Sequence, residues 1–142
     1  MPLNLIKLCV GINDIKHLAG VQKQRRKDAK RKFSRHITRN WPRRGDEIVK
    51  GKGSLYWVIK GVIRVRQPII GFDEMQDDEG RPMCGIRLAP ELVPVAPYPF
   101  RPFQGWRYLE AASAPPDLKG MKGGVAELPP ELAAELISLG LM

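Results

Sequence analysis

Short apolar runs alternate with strongly basic stretches in the first half of the chain. Leu3–Val10 is rich in leucine, isoleucine and valine and ends at Gly11, which is typical of a buried strand. Asn13 or Asp14 can then cap a helix, and an apolar stripe at helical spacing follows. We therefore predict a helix over about residues 13–32, with a basic second half that projects into solvent or frays.

The middle of the chain has the pattern of strands. Ser34–Trp41 alternates over a short stretch that Pro42 stops, and residues 42–47 have the character of a charged turn. Ser54–Met75 is dense in β-branched and aromatic residues, and Gly61 marks a bulge or bend within it. The alternation from residue 55 to residue 60 assigns one face to Leu55, Trp57 and Ile59 and the other to Tyr56, Val58 and Lys60.

Turn and breaker residues become frequent in the second half. A polar turn at residues 77–80 precedes Met83–Leu88, which we expect to return as an antiparallel strand. Prolines recur from residue 90 to residue 102, so we expect an extended crossing of the surface with few ladder hydrogen bonds. A short strand at 104–109, a loop at 112–124 and a C-terminal helix from about residue 128 complete the pattern.

These elements predict an α+β fold built as one domain over residues 1–142. The natural core is a small, strongly bent mixed sheet or a small barrel, flanked by the N-terminal basic helix and the C-terminal helix. The β-rich core covers about residues 34–110, and the loop and closing helix cover about 111–142. A strict alternation of strands and helices is absent, which disfavours a doubly wound nucleotide-binding fold.

Charge is divided unevenly along the chain. The formal net charge of +9 comes from a first half (1–66) with 18 basic and four acidic residues, and a second half (67–142) with six basic and eleven acidic ones. Such density favours a polyanionic partner, although a solvated helix face explains a basic run equally well. The candidate nucleic-acid-binding residues are Lys23, Arg25, Arg26, Lys27, Lys30, Arg31, Lys32 and Arg35.

Composition narrows the classes further. With 43% apolar residues the chain should fold around one core, and no apolar run approaches the roughly 20 residues of a membrane span. Without a secretory signal pattern, we expect a cytoplasmic protein that binds no membrane. Cys9 and Cys84 do not form a metal or redox motif, and with only His17 and His36 available we expect no structural metal and no cofactor.

Four segments, read in order, resemble a family of uncharacterised alphaproteobacterial domains: Leu3–Gly11 (LNLIKLCVG), His36–Glu47 (HITRNWPRRGDE), Gly53–Gln67 (GSLYWVIKGVIRVRQ) and Arg101–Leu109 (RPFQGWRYL). Residues 38–47 followed by 54–67 also resemble PUA-like domains, particularly the ASCH group. That resemblance implies a PUA-like β-barrel beside a cleft that binds RNA or a nucleotide, sometimes with hydrolysis of a modified nucleoside. The usual ASCH motif is absent from this sequence.

If that barrel forms, basic and aromatic residues of the turn and the following strand meet in one cleft. Aromatic faces stack on unpaired bases, arginine and lysine hold phosphates, and a carboxylate can bond to a base edge. The candidate ligand-binding residues are Arg39, Trp41, Arg44, Asp46, Tyr56 and Lys60. Each of these residues could instead have a purely structural role. For the neighbouring Trp57, which alternates with Leu55 and Ile59, we favour a position in the hydrophobic core.

Three functions of different classes follow. The first is a PUA-like module that binds RNA or a nucleotide, with the basic helix supplying phosphate contacts. The second is a small hydrolase acting on a modified nucleoside, in which Lys60, Asp46 or His36 takes part. The third is a protein-interaction or oligomerisation module that uses the proline-rich crossing or the C-terminal helix. The sequence leaves open whether any reaction is catalysed, and it does not determine the oligomeric state.

Overall fold

The computed structural model describes residues 2–101 and 103–118, which form seven strands, two α-helices and one short 3₁₀-helix. In chain order these are β1 (Asn4–Leu8), α1 (Ile15–Ala29), β2 (Ser34–Thr38), α2 (Gly45–Lys50), β3 (Ser54–Ile59), β4 (Val62–Gln76), β5 (Pro82–Leu88), β6 (Val93–Pro99), β7 (Trp106–Leu109) and the 3₁₀-helix Ala111–Ser113. The helix predicted from about residue 128 lies outside the described residues.

The sheet is mixed and open. Its strand order is β2-β5-β4-β3-β1-β7, with β6 paired to β4 in addition. β1 and β3 run parallel, while the other pairs are antiparallel. Within the described residues the end strands β2 and β7 do not pair, so the sheet does not close. The predicted α+β class with a bent mixed sheet is confirmed, and the PUA-like β-barrel alternative is not what the chain forms.

The long strand β4 changes partners partway along its length. Residues 62–68 pair with β3, and residues 69–76 pair with β5. The change falls at Gln67 and Pro68, where the proline removes a ladder donor and the strand bends. The Gln67 side chain is fully buried there and accepts hydrogen bonds from Gln22 Nε2 (2.9 Å) and Trp57 Nε1 (3.1 Å). Its own amide donates to Gln22 Oε1 (2.7 Å) and the Ala89 carbonyl (2.8 Å).

Strand β3 is buried along all six residues because two apolar cores lie on its two faces. The larger core contains Leu55, Trp57 and Ile59, together with residues of β1, β5 and both helices. The smaller one contains Tyr56 and Val58, packed against residues of β1, β4, β6 and β7. The predicted alternation is confirmed for residues 55–59 and not for Lys60, which lies in the exposed turn after β3. Trp57, only 3% exposed, is a core residue as favoured above.

Helix α1 begins as its sequence predicts and ends earlier. Asp14 is the N-cap, and its carboxylate accepts a hydrogen bond from the His17 N–H at 2.7 Å. Lys30 ends the helix with a left-handed backbone (φ 54°), so the basic run continues past the last turn into a loop. Of the described helices, neither is long and apolar enough to cross a membrane.

Two predictions about local structure were wrong. The predicted charged turn at 42–47 overlaps a six-residue helix, α2, which begins at Gly45 and is too short to show an apolar period. The proline-rich crossing includes a paired strand, β6, which bonds to β4 with a shift of register between Ile63 and Val65. β4 is the strand partner of β6, and on the other edge of β6 Val95 forms an isolated bridge with Asp117 while the Ala96 N–H donates to the Pro116 carbonyl at 2.8 Å. Prolines 94, 97 and 99 fit a strand that is so sparsely paired on one edge, because few ladder donors are needed there.

We predict opposite effects of alanine at two glycines. A Cβ at Gly53 would overlap the Leu3 carbonyl oxygen, whereas a Cβ at Gly20, on the surface of α1, meets nothing within 4 Å. Gly53→Ala should therefore lower the free energy of unfolding by about 1–3 kcal/mol, and Gly20→Ala should raise it by about 0.5–1 kcal/mol. Urea unfolding measures both. Equal effects of the two substitutions would contradict the placement of β1 against the α2–β3 loop.

A second prediction concerns the Gln67 amide. Gln67→Leu leaves Gln22, Trp57 Nε1 and the Ala89 carbonyl without their partner, and should cost about 2–5 kcal/mol of unfolding free energy. Gln22→Leu combined with Gln67→Leu removes the reciprocal amide pair, so the double variant should lose less than the sum of the two single losses. Additive losses, or a Gln67→Leu variant as stable as wild type, would show that the network contributes nothing.

Candidate functional site

A cavity of about 330 Å³ lies between α1, the end of β1 with its following loop, and β2. Trp57 and Leu88 from the main core line it, together with Leu18 of α1. The charged and titratable residues that border it are mostly cationic, and we call it the basic cavity. These residues are Lys7, Arg25, Arg26, Arg31, Arg35 and His36. No aspartate or glutamate of the described residues lines it.

The cations of the basic cavity differ in what holds them. Arg26 donates to the Ser34 hydroxyl at 2.8 Å, and Arg35 forms an ion pair with Asp73 at 2.9 Å. Lys7 and Arg25 have no ion pair within the described residues. Burial lowers the pKa of Lys7, because the lysine is held partly out of water without a carboxylate to compensate. Like charges in a half-buried space repel one another, so this arrangement favours an anion.

His36 lies at the inner wall of the cavity. Its ring meets Trp57 edge to face at 5.2 Å, and its buried Nε2 atom has no hydrogen-bond partner within the described residues. Burial, together with the positive charges of Lys7 and Arg25, lowers the pKa of His36 to about 4. The imidazole is therefore neutral at physiological pH.

Arg31 presents the other unpaired polar atom of the cavity. Its Nε is buried without a partner in the described chain, while its guanidinium lies 5.6 Å from the Phe33 ring centre. Buried polar atoms in proteins are nearly always paired with protein, water or a ligand. Two such atoms, Arg31 Nε and His36 Nε2, bordering one cationic cavity, mark it as the candidate functional site.

The neighbouring thiol is not activated. Cys9 lines the basic cavity, and burial raises the pKa of its thiol to about 11 although Arg25 opposes that shift. A nucleophilic cysteine needs a lowered pKa, since the thiolate is the reactive form. Near pH 7 Cys9 is therefore protonated and His36 neutral, so the positive charge of the cavity comes from its lysine and arginines.

The eight basic residues predicted to bind nucleic acid divide into two equal groups. Arg25, Arg26, Arg31 and Arg35 line the basic cavity, and all four are arginines. Lys23, Lys27, Lys30 and Lys32 are exposed and do not line it. The division by position is therefore also a division by residue type, with arginines at the cavity and lysines on the exposed surface.

The six residues predicted to share one cleft are distributed over several places. Trp41 lies against Phe72 (ring centres 6.0 Å apart) between two surface clefts, one lined also by Asp46 and the other by Arg39. Arg44 is engaged with Glu47 at 2.7 Å and with Glu110 at 3.5 Å.

The remaining two lie on strand β3 and just beyond it. Tyr56 belongs to the smaller core and is 6% exposed. Lys60 is exposed in the turn between β3 and β4, with a left-handed backbone of φ 50°. The six residues of β3 separate Lys60 from the α2 end of the strand by about 20 Å. The grouping that we expected from a closed barrel therefore does not form a single site.

Some residues of the basic cavity were not among the predicted site residues. Lys7 lies on β1, far in sequence from the basic run that begins at Lys23. His36 was considered only as a participant in hydrolysis, together with Lys60 or Asp46. The structure instead places His36 beside Lys7, Arg25 and Trp57. Lys7 could have been found from the sequence, because it is a charged residue within an otherwise apolar strand.

We predict that His36 makes stability depend on pH. Its pKa is about 4 in the folded protein and about 6.5 when unfolded, so the unfolded chain binds the proton first as pH falls. The contribution of neutral His36 to the free energy of unfolding is complete above about pH 6.5 and is lost as the pH falls from about 6.5 to about 4. Wild type should therefore lose more unfolding free energy between pH 7 and pH 5 than His36→Gln. A resonance assigned to the His36 imidazole that titrates near pH 6.5 in the native state would contradict this assignment.

Comparison with known proteins gives a family and no described activity. No curated protein and no solved structure gives a significant match to the chain. A family model described as "Protein of unknown function (DUF1489)" matches residues 5–142, which includes all the segments that build the basic cavity. The chain therefore belongs to this family of proteins of unknown function.

Proposed function

We propose that this protein binds RNA or a nucleotide, and that the basic cavity holds a phosphate group of the ligand. The observation that carries the proposal is a cationic cavity with no carboxylate in its described lining and with two unpaired buried nitrogens, Arg31 Nε and His36 Nε2. A phosphate supplies several acceptor oxygens and the negative charge that such a lining favours.

The chemistry of the cavity suits a phosphate better than a carboxylate alone. Cations converge from three segments, with Lys7 on β1, Arg25 on α1 and Arg31 on the loop before β2. Several donors arranged around one anion match an oxygen-rich group that accepts from many directions. The neutral His36 can add a hydrogen bond through Nε2 in the tautomer that carries the proton there.

The cavity also has an apolar side, which favours a ligand with more than a phosphate. Trp57, Leu18 and Leu88 line it together with the cations, and its volume of about 330 Å³ lies within the range of small-molecule sites. A nucleotide has both parts, since its phosphate is anionic and its sugar and base present less polar surfaces. Inorganic phosphate alone would leave the apolar side uncovered.

We predict that removing two cations of the basic cavity weakens RNA binding. Lys7→Gln with Arg25→Gln should weaken binding of a labelled single-stranded RNA by at least about tenfold at low salt, because two charge-assisted contacts are lost. The logarithm of wild-type affinity should fall linearly with the logarithm of salt concentration, and the double variant should show a shallower slope. Fluorescence anisotropy over a salt series measures both quantities.

The matched comparison is Lys27→Gln with Lys32→Gln, which removes the same charge from exposed lysines that do not line the cavity. Its loss of affinity should be clearly smaller, and Arg101→Gln should have no effect beyond a general change in charge. Failure of wild type to bind RNA or AMP at low salt would refute the proposed function. Equal losses of RNA affinity in the two double variants would show that the basic cavity has no special part in binding.

A further inference from the structure

The sheet has a face that neither helix of the described chain covers. In the region of β2, β5 and the second half of β4, Ser34, His36 and Thr38 pair with Leu88, Ile86 and Cys84, and these residues point toward the main core. Side chains alternate along a strand, so the residues between them point to the opposite side. We call that side the outer face, defined by these residues: Phe33, Arg35, Ile37, Asp73, Met75 and Arg87.

Contacts across the strands support this assignment. A Cβ placed on Gly85 would meet Arg35 Cδ and Met75 Cγ, each at 3.0 Å, so side chains from β2 and β4 converge over β5. Both helices pack on the opposite side, where Leu18 and Ile48 join the main core. Ile37 is accordingly 49% exposed in the centre of β2.

Three guanidinium groups surround the single aromatic ring of the outer face. The guanidinium carbons of Arg31, Arg35 and Arg87 lie 5.6, 5.4 and 4.9 Å from the Phe33 ring centre. Asp73 is the one carboxylate paired with this group, at 2.9 Å from Arg35 and 2.7 Å from Arg87. Three positive charges against one negative leave the cluster net positive. Guanidinium planes and aromatic rings are both surfaces on which unpaired bases stack.

The outer face is continuous with the basic cavity. Arg31 lines the cavity and its guanidinium also flanks Phe33, while Arg35 borders the cavity on β2 and points its side chain to the outer face, so the two positive regions meet at β2. The connection crosses β2, which is an end strand of the sheet and about 16 Å long. A ligand whose phosphate lies in the cavity can therefore continue over this strand without leaving positive potential.

We propose that the outer face holds single-stranded RNA that extends out of the basic cavity, so that the ligand is a polynucleotide chain and not a free nucleotide. This inference rests on the proposed function and narrows it. The cavity binds one phosphate, and the Phe33 cluster stacks unpaired bases of the adjoining nucleotides. A duplex binds poorly, because its bases are already stacked on one another.

The experiment compares AMP with a single-stranded RNA of about eight nucleotides, within the usual range for such surfaces. Wild type should bind the oligomer at least about tenfold more tightly than AMP, and more tightly than the same sequence as a duplex. Phe33→Leu with Arg87→Gln should weaken oligomer binding by at least about tenfold and leave AMP binding within about twofold. The control, Tyr98→Leu with Arg101→Gln, changes an exposed aromatic and a cation elsewhere and should bind both ligands as wild type does.

Arg87→Gln alone changes a half-exposed side chain and keeps the test valid if Phe33→Leu unfolds the protein. An oligomer that binds no better than AMP, or that is insensitive to both outer-face substitutions, overturns this inference while the proposed function stands. Absence of binding by AMP and oligomer alike refutes the proposed function itself. A dimer that Phe33→Leu dissociates would assign the outer face to a second copy of the chain and overturn the inference.

Discussion

The buried amide of Gln67 is the interaction on which the arrangement of the other elements depends. It lies where β4 leaves β3 and begins to pair with β5, so it joins the two parts of the bent sheet. Its four hydrogen bonds reach α1, β3 and the segment after β5. A buried amide is stabilising only when all its donors and acceptors are satisfied, and this one is. The bend, the helix and the sheet are therefore fixed relative to one another by one side chain.

The same network sets the geometry of the basic cavity. Gln22, which is bonded to Gln67, also accepts a hydrogen bond from the Ser34 hydroxyl at 3.3 Å. The same hydroxyl accepts a hydrogen bond from the Arg26 guanidinium at 2.8 Å. The cationic end of α1 is thus connected through hydrogen bonds to the centre of the core. Mutually repelling cations would otherwise drive the helix end outward, since nothing acidic in the described lining holds it. A site built in this way keeps its cations in position before an anion arrives, which lowers the cost of binding.

Local pattern was enough for much of the fold and not for the site. β1, α1, β3 and the alternation that buries Trp57 follow from periodicity and capping residues, which act between sequence neighbours. α2 was missed because six residues show no period. The parallel pairing of β1 with β3 joins distant segments, such as Leu5 with Leu55, and no local pattern encodes it. The single cleft depended on a closed barrel, and because the described sheet is open, residues 39–46 and strand β3 do not share one site.

Burial holds two titratable groups of the cavity in their neutral forms near pH 7. A general acid or base works best when its pKa lies near the working pH. Here the pKa of His36 is lowered to about 4, and that of Cys9 is raised to about 11, chiefly by burial in both cases. Lys7 and Arg25 add to the shift of His36 because no anion offsets them. A bound phosphate would offset those charges and move the pKa of His36 upward, so ligand binding and protonation of this imidazole are linked. The protonation of His36 is thus sensitive to the net charge inside the cavity.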